Sequence, residues 1–162
     1  MNAQIEIKQP SYCSSDELRK FKSLVLQGGE VTPVGLDRRV EMAERLLFLK
    51  TTSCVGIGAV KNPNIQYKSD IFKKSGSEHD PNTIQFELGW FYIEETSRGN
   101  GFSNLLLAEA ISFVQESGCF ATTRESNNIM HKQLNNLGFE QSGSSYKSSK
   151  GNYNLVLYIY ST

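Results

Sequence analysis

The stretch TSRGNGFSNLLLAEAI, Thr96–Ile111, decides how the rest of this 162-residue chain is read. Gly99 and Gly101 stand one residue apart beside Arg98, directly before an apolar stripe of Leu106, Leu107, Ala110, Ile111 and Val114 at helical spacing. A helix patterned this way docks on a sheet, and its first turn carries amide hydrogens that have no partner inside the helix. The aligned peptide dipoles put partial positive charge at that same end. Glycine lets the backbone approach a ligand closely and adopt conformations closed to other residues. With Arg98 adding charge, the stretch reads as an anion site suited to a pyrophosphate. Two common nucleotide motifs are excluded as written. A dinucleotide fingerprint needs a third glycine where Asn104 stands, and a Walker loop needs a lysine that Gly-Phe-Ser lacks.

Outward from this stretch, strands and helices intermix. On the N-terminal side, AQIEIKQ alternates as a first strand. SSDELRKFKSLVLQGG is a helix with a capping box at Ser14 and Glu17 and a stop at Gly28-Gly29. GLDRRVEMAERLL is a second, weaker helix leading into a strand near LLFLKTT, and SCVGIGAV has the composition of a strand buried on both faces. A short helix is expected between Gln66 and Ser75, then a turn-rich loop, then the aromatic strand TIQFELGWFYI that enters the glycine stretch. Beyond it come the strand CFATTRES, the helix NNIMHKQLNNLGF ending at Gly138, and a polar-tipped hairpin over FEQSGSSYKSSKGNYNLVLYIY. No repeat and no linker is visible, so residues 1–162 are expected to form a single domain of α/β or α+β class.

Composition narrows the function classes. Lys plus Arg and Asp plus Glu are equal at 17 each, so no global field draws the chain to nucleic acid or to an anionic membrane. No stretch approaches the roughly 20 apolar residues that cross a bilayer, and the N-terminal residues lack a leader pattern, which leads to the expectation of a soluble cytoplasmic protein. Cys13, Cys54 and Cys119 are odd in number and far apart, unlike a zinc site or a disulfide framework, and read as inert thiols; no metal is expected.

Arg98 and Gly101 match the pattern Gln/Arg-x-x-Gly-x-Gly/Ala, with Ser103 at its last position, and here the chain resembles the GCN5-related N-acetyltransferases, the GNAT superfamily. A strand precedes the loop, as FELGWFYI does, and Asn127, Gly138 and Phe139 match the family's Asn-x-x-Ala-x-x-x-Tyr-x-x-x-Gly-Phe helix. The resemblance implies a mixed, mostly antiparallel central sheet of six to seven strands flanked by about four helices. It implies acetyl-CoA or another acyl-CoA as cofactor, with the pyrophosphate on the amides of Gly99, Asn100, Gly101, Phe102 and Ser103. The pantetheine arm would pair with the backbone of Phe91, Tyr92 and Ile93 and take a hydrogen bond from Asn127, whose other reading is a helix N-cap. Ser103, Met130 and Leu134 depart from the pattern, and Leu134 stands where many members carry the tyrosine that protonates the departing thiolate.

The activity implied is transfer of an acetyl group to a primary amine, small-molecule or peptide, by direct attack in a ternary complex. An amine of pKa near ~10.4 must lose a proton before it can attack. Glu87 stands eleven residues before Arg98, the offset at which some members place a catalytic glutamate. A carboxylate desolvated on so apolar a strand is a better proton acceptor. By strand alternation Glu87 shares a face with Gly89, Phe91 and Ile93, and Gly89 hints at a bulge. An amide near Phe91 would polarise the thioester carbonyl. Cys119 has no activating histidine in its local sequence and reads as a structural thiol. His131, Tyr158, Tyr160 or solvent stand as alternatives for the acid that Leu134 is not. The competing expectation is a catalytically inactive acyl-CoA-binding regulatory module. Lys61, Lys68, Lys73 and Lys74 read as a solvated face, and the acceptor and the choice between monomer and homodimer are left open.

Overall fold

The computed structural model describes residues 2–29 and 31–161. The chain packs as two compact units. One comprises the chain through Asn62 together with Leu88–Phe113, the other Pro63–Glu87 together with the chain from Val114 onward.

In the first unit, β1 (Gln4–Lys8), β2 (Arg45–Lys50) and β3 (Cys54–Lys61) form an antiparallel meander, with β4 (Phe86–Ile93) next to β3 in strand order. Leu46–Leu49 and Val55–Val60 are buried throughout, the two-sided burial that the apolar run SCVGIGAV implied. Helix α1 (Ser15–Gln27) begins on the expected capping box: the Glu17 amide donates to Ser14 Oγ at 3.1 Å, and the Ser14 amide donates to Glu17 Oε1 at 2.9 Å. Its Phe21, Leu24 and Val25 pack with Leu46, Phe48, Ile57 and Ala59. Helix α2 (Leu36–Glu41) is shorter than the sequence suggests. The chain must already turn at Glu44, whose amide donates to Val60 O at 2.9 Å and starts the β2–β3 ladder.

In the second unit, Phe86 and Glu87 at the head of β4 lie parallel to Cys119 and Phe120 of β5 (Cys119–Arg124). In the chain, α4 (Phe102–Val114) separates the two strands, the helical crossover that a parallel pair requires. Antiparallel to β5 runs β8 (Asn154–Tyr160), which carries both β6 (Glu140–Gln141) and β7 (Tyr146–Lys147). The expected closing hairpin is present with its first arm broken in two, because Gly143 takes a φ of +72° and the Ser144 amide donates to Ser75 O at 2.8 Å. That break, together with α3 (Ile65–Ser75), yields eight strands and five α-helices among the described residues rather than six to seven and about four. The class is the expected mixed, mostly antiparallel one. Helix α3 is capped by Asn64, whose side-chain oxygen accepts from the amides of Gln66 and Tyr67. Its Ile71 and Phe72 join Ile84, Phe120, Tyr146, Leu157 and Ile159 in a second core. Helix α5 (Asn128–Asn136) closes the unit, with Leu134 only 1 % exposed.

Candidate active site

The glycine stretch forms the turn between β4 and α4. Gly99 and Gly101 have φ of +84° and +75°, the left-handed region that glycine enters freely, and a Cβ built on either meets nothing within 4 Å. The loop is held from beneath by side chains. Arg98 Nε donates to Ile93 O at 3.0 Å, its guanidinium lies 5.4 Å from the Tyr92 ring, and Asn100 Nδ2 donates to Ser97 O at 2.9 Å. The first turn of α4 is tied back by the Leu105 amide on Gly101 O, so the amides of Phe102, Ser103 and Asn104 precede that bond. Two left-handed glycines, one residue apart, thus lead over an exposed turn into the start of α4, where the first-turn amides of a helix lie.

Strand β4 is irregular one residue later than its glycine suggested. Trp90 has φ of +60°, a conformation that costs free energy for a bulky side chain and persists where the surroundings fix it. Here the ring meets Phe21 edge-on at 5.9 Å, and Lys61 Nζ lies 4.4 Å from its centroid. A Cβ on Gly89 would come within 3.1 Å of the Lys61 stem, so residues 89 and 90 are directed to the same lysine. Phe91 and Ile93 are directed to β3 instead, where a Cβ on Gly58 or Gly56 would lie 2.4 Å from the Phe91 ring or 2.6 Å from Ile93 Cδ1. Counting by twos therefore fails at Trp90, and the expectation that Glu87, Gly89, Phe91 and Ile93 share one face is corrected. Two consecutive residues on one side are what a bulge produces.

Glu87 is 4 % exposed, and Tyr67 of α3 donates its hydroxyl to Glu87 Oε2 at 2.9 Å. Burial of that hydroxyl and then the Glu87 charge push Tyr67 well above the ordinary tyrosine range, so its proton stays on. Tyr67 was not legible in the sequence as a partner of Glu87. Its signal was the helix expected over Gln66–Ser75, whose facing strand could not be inferred.

Asn127 caps α5, its Oδ1 accepting from the Met130 amide at 3.1 Å, as its structural reading required. His131 is half-buried and engaged at both ring nitrogens. Nε2 lies 3.1 Å and 2.9 Å from the carbonyl oxygens of Arg124 and Glu125 and must carry hydrogen; Nδ1 lies 2.6 Å from the Tyr158 hydroxyl. Two of the alternatives for the acid are thus bonded to each other. Burial pushes Tyr158 up, and an Asn135 hydrogen bond works against it. Cys119 is wholly buried, which pushes its thiol up to about 12 and suits a structural role. Among the described residues no group of three or more His, Cys, Asp or Glu is placed to hold a metal, and no helix is long and apolar enough to cross a membrane.

No protein-family model matches the chain. No curated protein matches its sequence. Solved structures do match its fold. An acyl-CoA N-acyltransferase from Pseudomonas aeruginosa superposes with a TM-score of 0.72 at 10 % identity over 98 % of this chain and 99 % of that one. Arabidopsis thaliana NAA60, solved with a bisubstrate analogue, gives 0.68 at 12 % identity over 97 % of each chain. A GNAT-family acetyltransferase from Streptococcus pneumoniae gives 0.64 at 17 % identity over 98 % and 99 %. At such identities the likeness is one of architecture, and the architecture is that of the GCN5-related N-acetyltransferases: the chain has the GNAT fold.

Proposed function

We propose that the 162 residues act as one acetyl-CoA-dependent N-acetyltransferase domain, with a primary amine of a small molecule or peptide as acceptor. The observation that carries this reading is Glu87, a carboxylate 4 % exposed and held by the Tyr67 hydroxyl. A desolvated carboxylate costs folding free energy, and a proton acceptor of this kind is what an ammonium acceptor needs before it can react.

The residues at the glycine turn fit the cofactor's diphosphate, because the space a Cβ would occupy at Gly99 and Gly101 is open and the amides of Gly99–Ser103 lead into a helix start. Arg98 holds the turn against Ile93 O and brings positive charge to it. The backbone of Phe91, Tyr92 and Ile93, past the bulge at Trp90, is assigned to the cofactor's amide-bearing arm. When bound, acetyl-CoA would supply an acyl group already activated as a thioester. Glu87 then accepts the ammonium proton, and Tyr67 keeps the receiving carboxylate oriented. Cys119, protonated and buried, offers no nucleophile, so transfer goes directly to the amine. Leu134 is core and supplies no acid, so a departing thiolate, whose thiol has a pKa near ~8.5, would draw its proton from solvent at small cost.

That buried Leu134 is also what favours a second reading, an acyl-CoA-binding module without chemistry. A thiol-release assay with acetyl-CoA over a panel of amines separates the two. The enzyme reading expects turnover that Glu87→Gln lowers at least a hundredfold, while calorimetric acetyl-CoA affinity stays within twofold of wild type. Binding without turnover on every amine tested would leave the module reading standing.

A further inference from the structure

Tyr146 on β7 is 8 % exposed, and its hydroxyl oxygen has no hydrogen-bond partner among the described residues. Buried polar groups are nearly always paired, so one left open in a folded core calls for an explanation. Its surroundings supply one. Tyr146 packs in a cluster with Phe120, the residue opposite Glu87 across the β4–β5 pair, and with Ile71, one helical turn beyond Tyr67 on α3. Two tyrosines and a glutamate thus converge from a helix and two strands of the same unit. The Glu87 charge acts on both phenols, pushing each further up after burial has done so, which is the mark of groups within electrostatic reach. Tyr67 is 41 % exposed, so the cluster lies one side chain from solvent.

The three residues have complementary chemistry. Tyr67 spends its O–H on Glu87. Tyr146 keeps a hydroxyl whose oxygen can accept a hydrogen bond, within electrostatic reach of a carboxylate that also accepts. A group with several N–H donors and a positive charge answers both acceptors at once, and a primary ammonium has three such donors. An apolar group would leave the Tyr146 hydroxyl unpaired, and an anion, although it could accept the Tyr146 O–H, would face the Glu87 charge.

We propose that Tyr146 is an acceptor-binding residue, its hydroxyl oxygen receiving an N–H of the substrate's primary ammonium while Glu87 receives another. This rests on the acetyltransferase reading and extends it from the base to the group that orients the acceptor nitrogen. Tyr67 is the positioning residue of the cluster.

The test uses the full chain labelled with ring-13C tyrosine, titrated with butylamine in the presence of CoA, beside steady-state kinetics of wild type and Tyr146→Phe. The Tyr146 ring resonance, assigned by its absence from Tyr146→Phe, should move on adding butylamine and stay put with butanol. Tyr146→Phe should raise KM for the amine at least tenfold, leave KM for acetyl-CoA within twofold, and melt no lower than wild type, since it removes an unpaired buried hydroxyl. A resonance that ignores the amine, or an unchanged amine KM in an active variant, would overturn the assignment. If wild type turns over no amine yet the resonance moves, the acetyltransferase reading fails and the ammonium site stands. If neither responds, both fall.

Discussion

Replacing Gly101 by alanine tests the glycine turn, and the structure provides its control. Gly101 has φ of +75°, and Gly76, the C-terminal cap of α3, has φ of +72°; at both positions an added Cβ meets nothing within 4 Å. Neither substitution creates a clash, so each carries only the cost of an L-residue in the left-handed region, about 1–2 kcal/mol. The stiffer unfolded chain offsets up to about 1 kcal/mol of this, leaving a net loss near 1 kcal/mol. For a chain of this length that lowers Tm by about 2–4 °C. Calorimetric melting should therefore place Gly101→Ala and Gly76→Ala together, a few degrees below wild type. Isothermal titration with acetyl-CoA should separate them. A methyl at 101 stands where the diphosphate is assigned and shifts the torsions that aim the amides, so affinity falls at least tenfold, about 1.4 kcal/mol, while Gly76→Ala binds within twofold of wild type. Equal affinities in the two variants would refute the reasoning, as would an unchanged Tm for both.

Two further outcomes follow from the packing. Gly143→Ala differs from both of these because its Cβ would lie 2.1 Å from Ser75 O in addition to a φ of +72°. Overpacking of about 1–3 kcal/mol then adds to the left-handed cost, and Tm should fall about two to four times as far as for Gly101→Ala; a fall no larger would mean that Gly143 and Ser75 do not approach this closely. Cys119 sets an alkaline limit: its thiol is pushed up to about 12 in the fold from an ordinary value of 9.0. The folded state keeps the proton that the unfolded chain releases, so this stability is complete below pH 9 and declines by about 1.4 kcal/mol per pH unit above it. Urea denaturation at pH 8 and pH 10 should show Cys119→Ala losing less stability between the two than wild type does, and identical losses would contradict the buried thiol.

Several features of this protein were determined by the sequence alone, and each is local. The capping box at Ser14 and Glu17, the Gly101 turn into α4 and the two-sided burial of β3 depend on neighbours within a few residues, where backbone preference and apolar spacing act directly. Other features depended on residues far apart in the chain. Alternation along β4 was legible up to Gly89 and then failed, because Trp90 is held in a left-handed conformation by Phe21 from α1 and Lys61 from β3. The closing hairpin was legible as a hairpin, while its break at Gly143 was set by Ser75, 68 residues earlier. His131 and Tyr158 were visible as separate candidates and only β8 meeting α5 joined them. Glu87 was visible by its position, but what surrounds it was not. Tyr67 reaches it across 20 residues, and a side chain's partner at such a separation is fixed by how helices and strands pack, a property that no periodicity in the sequence encodes.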